Sequence, residues 1–278
     1  MKKIVKAFRN AVVNYERFNS AQEIVNASKK RKMTSSKFKD MSKSENISKK
    51  FTSVKSLDEA LEIMRTGYQP AVEDLKKSQV GLSGEGKRFK LSNDVVGFAP
   101  VVPLAMLGIP QSMINMQLRP IKAKVLDVYY DMTVSCETST KTIIENGQAL
   151  LGAILSLEHQ GYRINLYAIQ SYYGDGSADM LVVKVKSSNT PLDIKRMSFP
   201  LVHPAFFRVI GFDWYSKTPE GKHRYAYGHA MGYDFSENEM QKGFKELFGQ
   251  NATVFSAARL KADKDHLESV MKGGASNV

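Results

Sequence analysis

The sequence is poor in features that would place it in several large classes of protein. It has one cysteine, Cys136, in 278 residues. It therefore has no internal disulfide framework and suits a reducing compartment. Its longest uncharged stretch, Val95 to Leu118, is broken by Pro100, Pro103 and Pro110. A bilayer-spanning helix needs about 18 unbroken apolar residues, so no membrane span is expected. The leading MKKIVKAFRNAVV has the lysine pair of an export signal. Arg9 and Asn10 interrupt the apolar core such a signal needs, and the protein is expected to be retained.

Catalytic signatures are missing as well. The five histidines show no HxxxH or HExxH spacing, there is no CxxC, and no G-x-S-x-G elbow occurs. Gly81 to Lys87 follows the phosphate-loop pattern GxxxxGK, but Arg88 stands where a magnesium-holding hydroxyl is required, and the segment reads as a linker. Catalytic residues are accordingly expected to be none. Acidic residues are fewer than basic ones, 28 against 40, leaving a formal net charge of +12.

That charge is concentrated. Residues 1–57 hold 15 Lys and Arg against 4 Asp and Glu, a net +11, whereas the rest of the chain is nearly balanced. A basic segment on a neutral body points to a polyanion, with nucleic acid first and an anionic membrane surface second; a solubilising linker is the plain alternative. The densest part, residues 27–55, is rich in Ser and Lys and too poor in apolar side chains to fold alone. Lys29, Lys30, Arg31, Lys32, Lys37, Lys39, Lys49 and Lys50 are the candidate phosphate contacts, which gain affinity through counterion release.

The periodicity divides the chain into three parts: a basic N-terminal arm with short helices (1–57), a helical and Pro-broken connecting region (58–120), and an α/β domain (121–278). In the arm, Ile4, Phe8, Val12 and Tyr15 recur at helical spacing, and Ser20 with Glu23 forms a capping box. Ser56 and Glu59 form a second box and predict a helix over 57–66 that Gly67 stops; another is expected over 71–77. Val95 to Leu118 suggests short packed helices or loops over a core. From Ile121 strands and helices alternate: strands at 125–130, 163–169, 180–186, 224–233 and 253–258, and helices at 140–159, 191–198, 204–209, 237–247 and 264–271. This predicts a largely parallel, Rossmann-like sheet with helices on both faces.

Two groups of residues carry chemistry. Asp131-Met-Thr133-Val-Ser135 follows the strand VLDVYY and matches D-x-[ST]-x-S, the first part of the metal-ion-dependent adhesion site of von Willebrand factor A domains. An aspartate and two hydroxyls at alternate positions of a strand-end loop can converge on a hard cation. Ser188-Asn-Thr190 resembles the loop that brings that site's distant threonine, and the last aspartate is open between Asp213 and Asp234. The resemblance covers about 121–278. It implies a von Willebrand factor A-like sheet and, in intact members, Mg2+ held by Asp131, Thr133, Ser135 and Thr190 that captures a partner's carboxylate. The alternative is a hydroxyl-rich loop that caps the helix beginning near Thr140. In Lys222-His-Arg224-Tyr225-Ala-Tyr227-Gly-His229 the residues alternate, so Tyr225 and Tyr227 beside Lys222 and Arg224 would form a stacking platform for unpaired bases. A tyrosine face packed under a helix is the simpler reading.

SLDEALEIMRTGY (56–68), PVVPLAMLGIPQSMINM (100–116) and GQALLGAILSLEHQGYRINLYAI (147–169) are similar to a family of uncharacterised phage-encoded proteins. Some of these look related to single-stranded-DNA-binding cofactors that recruit a phage RNA polymerase. That resemblance implies an accessory protein in the cytoplasm of an infected bacterial host, holding single-stranded DNA in replication or transcription. A phage RNA polymerase or replication protein would be its partner. A protein-interaction or assembly module, within a virion or scaffold, is the competing expectation.

Overall fold

The structure is a computed structural model that describes residues 1–31, 51–78, 89–118, 124–135, 137–218, 229–260 and 264–275. The chain opens with β1 (Lys2–Val5) and β2 (Ala11–Phe18), an antiparallel hairpin turned by one 3-10 turn and by Arg9 and Asn10 at positive φ. The expected N-terminal helix is therefore absent. The apolar period is two rather than 3.6: Val5, Ala11 and Val13 are buried, while Ile4 and Val12 face outward. Helix α1 (Ala21–Lys30) begins at Ser20, whose Oγ accepts from the Glu23 amide. Helix α2 (Leu57–Thr66) begins at Ser56 in the same way and stops at Gly67, which takes φ +84°. Helix α3 (Gln69–Ser78) follows.

A small separate sheet comes next. It contains β3 (Phe89–Asp94), β4 (Ala99–Pro100) and β5 (Met113–Leu118), ordered β3-β5-β4 and antiparallel, with the single-turn helix α4 (Val102–Met106) between β4 and β5. The apolar stretch from Val95 forms β4, α4, β5 and the loops between them, so the expected short helix and loops are present, but it does not cover a core. No residue from Leu91 to Met116 is buried.

The remaining elements build the main sheet and its layers. They are β6 (Val125–Asp131), α5 (Thr140–His159), β7 (Arg163–Gly174), β8 (Ser177–Lys186), α6 (Ile194–Val202), a π-helical turn (Phe206–Gly211), α7 (Phe212–Tyr215), β9 (His229–Ala230), α8 (Met231–Asp234), α9 (Glu237–Phe248), β10 (Ala252–Ser256) and α10 (Lys264–Ala275). Six strands lie in the order β1-β2-β8-β7-β6-β10, and β9 adds a short pairing to β7. The β2–β8, β6–β7 and β6–β10 pairs are parallel; β1–β2 and β7–β8 are antiparallel. Residues 1–18 are therefore part of the sheet and not an appendage to it. The strand expected over 224–233 is limited here to His229–Ala230, with Tyr233 in a helix; residues 224–228 lie outside the described residues.

Helices cover both faces of the sheet, as alternation along its strands requires. Leu126, Val128 and Tyr130 of β6, with Leu166 and Ala168 of β7, pack with α5, α6 and the π-helical turn. Tyr129, Tyr167, Ile169, Met180 and Val182 pack on the other face against Phe8, Phe235 and Phe244. Burial of each such side chain contributes about 1.5–3 kcal/mol, and strands buried on both sides collect this twice per two residues.

Two helix glycines give a paired test. A Cβ on Gly147 would lie 2.2 Å from the Leu201 carbonyl oxygen, where α5 crosses α6, whereas Gly152 has open space on its side. Gly147→Ala is expected to lower stability by about 1–3 kcal/mol through overpacking. Gly152→Ala should raise it by up to about 1 kcal/mol through helix propensity. Denaturant unfolding of both variants measures the contrast, and equal effects would contradict the α5–α6 contact.

Candidate functional site

In open α/β sheets, ligands bind outside the carboxyl ends of the strands where the strand order reverses. Here that place is the end of β6, with β7 on one side and β10 on the other. Asp131 closes β6 and is the register partner of Ser256, which closes β10. The Ala257 amide donates to the Asp131 carbonyl at 2.8 Å, and the Met132 amide to the Ile169 carbonyl at 2.9 Å, so pairing carries on into the DMTVS loop.

Asp131 is fully buried. Its Oδ1 accepts from the Thr133 amide at 3.1 Å and the Thr133 hydroxyl at 2.8 Å, and its Oδ2 accepts from the Ser171 hydroxyl at 2.5 Å. Thr133 Oγ1 in turn accepts from the Ser171 amide at 2.7 Å. Burial pushes the Asp131 carboxyl up to about 6, and the hydrogen bonds from Ser171 and Thr133 oppose that rise without cancelling it. Two buried hydroxyls, those of Tyr130 and Ser256, have no hydrogen-bond partner among the described residues. Burial raises the Tyr130 phenol far above its usual range.

Around this buried centre lies a more open rim. The Ser135 amide donates to the Tyr233 hydroxyl at 3.3 Å, and Thr138 Oγ1 shares a hydrogen bond with it at 3.1 Å. Tyr233 is 44% exposed. Arg208 reaches the Val134 carbonyl at 3.5 Å and stacks on Phe51, Phe207 and Phe212. Arg259 donates to the carbonyls of Gly232 and Tyr233. Gly232 is required by close approach, since a Cβ there would lie 2.0 Å from Ser256 Oγ. Beyond this rim, α9, β10 and α10 enclose a cleft of about 400 Å³ lined by Ser256, Arg259, Glu237 and His266.

The four residues named as magnesium ligands do not converge. Asp131, Thr133 and Ser171 satisfy one another, and Ser135 Oγ accepts from the Glu137 amide at 3.2 Å. Thr190 lies past the end of β8, which runs antiparallel to β7. The Ser188 amide there bonds Asn165, whose side chain meets Asp127 near the start of β6, so Thr190 sits at the opposite end of the sheet from Asp131. Asp213 is engaged by Ser28 and by Lys217 at 2.7 Å. Asp234 belongs to α8, beside Tyr233, and its carbonyl accepts from Arg9 at 2.8 Å. Among the described residues no group of three His, Cys, Asp or Glu could hold a metal ion. The donor set as arranged does not fit one.

Of the candidate nucleic-acid contacts, Lys29, Lys30 and Arg31 lie within the described residues. Lys29 and Lys30 are exposed at the end of α1. Arg31 is held by Glu16 in a bidentate pair at 2.7 and 3.0 Å, and Trp214 Nε1 donates to the same carboxylate at 2.7 Å. Burial would raise the Glu16 carboxyl, but the hydrogen bonds from Arg31 and Trp214 and the Arg31 charge outweigh it and leave it below its ordinary value. Lys32, Lys37, Lys39, Lys49, Lys50, Lys222, Arg224, Tyr225, Tyr227 and Cys136 lie outside the described residues. The chain resumes at Phe51, whose carbonyl accepts from Thr140 Oγ1 at 2.9 Å beside the rim. The basic stretch is therefore attached to the body at both ends, not free at one.

A family model described as a domain of unknown function, DUF7192, matches residues 4–250. The chain belongs to that family. No curated protein and no solved structure matches it. The DUF7192 match takes in both the N-terminal hairpin and β6 to β9, in keeping with a sheet to which residues 1–18 contribute strands. Among the described residues no helix is long and apolar enough to cross a membrane.

Sequence reasoning found Asp131, Thr133 and Ser135 but missed Ser171, Tyr233, Arg208 and Ser256. Ser256 was within reach of the strand-end rule. Ser171 sits inside a strand and has no local signal.

The raised Asp131 carboxyl makes stability depend on pH. Its folded-state value of about 6 exceeds the ordinary carboxyl value of 3.8, so its contribution is complete below about pH 4 and is lost as pH rises through 6. Asp131→Asn keeps an acceptor for Thr133 and removes the charge. Wild type should lose on the order of 3 kcal/mol relative to that variant between pH 4 and 7, measured by chemical unfolding. Parallel pH profiles for the two proteins would contradict it.

Proposed function

We propose that this chain is a non-catalytic protein-interaction module built on a von Willebrand factor A-like sheet. The observation that carries the reading is the strand order β8-β7-β6-β10, with β8 antiparallel and the DMTVS loop at the carboxyl end of β6. A loop at the carboxyl end of a central strand supports this reading, since ligands of open α/β sheets bind there. The capture chemistry differs from a metal site. Asp131 acts as an internal strut that positions the loop, and the rim offers the hydroxyls of Ser135, Thr138 and Tyr233 with the guanidinium groups of Arg208 and Arg259. A carboxylate-bearing partner segment suits those donors, because guanidinium and hydroxyl groups bind carboxylates through charge-assisted hydrogen bonds.

Photo-crosslinking tests this directly. A benzophenone side chain placed at Tyr233 is expected to give a discrete protein adduct in native cells, insensitive to EDTA and lost with Arg259→Glu. The same group at Tyr162, at the amino end of β7, should give none. Absence of an adduct at 233, or identical adducts from both positions, would count against the reading.

A second reading is favoured by the charge distribution: the protein grips single-stranded nucleic acid in replication or transcription through the basic stretch. Lys29 and Lys30 are exposed where the chain enters that stretch, and the 10 Lys and Arg against 2 Asp and Glu of residues 27–55, a net +8, supply the field. Because residues 1–18 form sheet strands, deleting the whole segment would unfold the body. Replacing Lys29, Lys30, Lys37, Lys39, Lys49 and Lys50 with Gln is the cleaner variant. If the reading holds, fluorescence-anisotropy titration of a labelled single strand shows a log–log salt slope of about −0.7 per phosphate neutralised, shallower in that variant. An unchanged slope removes the basic stretch from the binding site.

A further inference from the structure

The small sheet of β3, β4 and β5 exposes apolar surface that a water-soluble face does not need. Met106 is 83% exposed, Leu107 74%, Val96 73% and Phe98 64%. Leu91, Val95, Val102, Ile109 and Met116 of the same unit are exposed as well, and concentrated exposed apolar surface marks an interaction or membrane site. No Asp, Glu, Lys, Arg or His occurs between Val95 and Leu118.

We propose that the tip of this unit, residues 95–109, inserts into the interface of an anionic lipid bilayer and anchors the protein there without spanning it. Three features favour a fluid apolar phase over a protein groove. First, α4 is apolar all round and open all round, with only Leu104 partly covered. A helix of that kind requires an apolar medium on every side, whereas docking in a groove needs one apolar stripe. Second, several of the tip's backbone amides are paired within the unit, which lowers the cost of entering an apolar phase. Phe98, Val101, Leu104, Leu107, Gly108 and Ile109 amides all donate to carbonyls of the same unit, at 2.6–3.3 Å. Pro100, Pro103 and Pro110 carry no N–H to satisfy. Third, the flanks are cationic. In the sequence Lys87, Arg88 and Lys90 precede the tip and Arg119, Lys122 and Lys124 follow it, and Asp94 is the one acid between residues 87 and 124. Cations beside an inserted apolar element meet lipid phosphates, each contributing about 1 kcal/mol near an anionic surface.

Flotation of the full chain with vesicles decides the matter. Wild type should float with vesicles of equal parts phosphatidylcholine and phosphatidylglycerol and largely stay behind with phosphatidylcholine alone. Phe98→Ser with Met106→Ser should weaken flotation by about tenfold or more, since apolar burial drives insertion. Both side chains are exposed, so the thermal transition should not move. Failure of wild type to float, or equal flotation of the variant, overturns the proposal. So does a wild-type dimer that the two substitutions convert to monomer without lipid binding, because the face is then covered by a second copy.

Discussion

The structure rests on one demand: β6, β7 and β8 are apolar on both faces, and each face must be kept from water. Tyr129 and Tyr130 are adjacent in sequence, buried, and belong to opposite cores. Helices α5 and α6 meet the first face closely enough that Gly147 has no room for a methyl group. The second face is closed by chain ends far apart in sequence. Phe8, in the turn of the N-terminal hairpin, packs with Phe235 and Phe244 at centroid distances of 5.0 and 6.3 Å. Gly243 exists for that contact, since a Cβ there would lie 2.2 Å from the Phe8 ring. The start of the basic arm, whose spacing predicts a helix, is thus committed to the core as strands by the need to cover a sheet.

Where those strands end, a buried carboxylate organises the loop. Asp131 links β6 to β7 through Ser171 and shapes the following turn through Thr133. A carboxylate held in this way costs free energy when ionised, because burial removes its hydration and only hydroxyl and amide donors replace it. The cost is borne by a short loop that presents Ser135 and Thr138 toward Tyr233. Three features are distinct: a polar rim at the carboxyl edge of the main sheet, a lysine-rich sequence between Arg31 and Phe51, and an apolar tip on a sheet of its own. The proposed capture of a protein partner concerns the rim, and the proposed lipid contact concerns the tip.

Local signals read well where a single element decided the outcome. Ser56, Glu59 and Gly67 mark the start and stop of α2, and Ser139 and Gly161 bracket α5. The β6–α5–β7 alternation and the position of Asp131 at a strand end were equally legible. Reading failed where partners distant in sequence intervened. Ile4, Phe8, Val12 and Tyr15 fit a helical stripe, yet β8 lies parallel to β2, and the pairing overrides the stripe. The Pro-broken stretch after Val95 was expected to pack over a core, because composition reports apolarity and not burial.

The amino-acid sequence by itself determined the alternating pattern that makes an α/β sheet, the caps that bound its helices, the one-sided charge and the loop chemistry at Asp131. These are short-range properties, set by backbone conformation and side-chain type within a few residues. Only the tertiary structure decided that the first 18 residues join the sheet, that Ser171 closes the Asp131 network, that Thr190 belongs to the other end of the molecule, and that the apolar tip stays uncovered. Each of these depends on which strands run parallel and in what register, and that is chosen by the free energy of burying whole faces together rather than by any local stretch of chain.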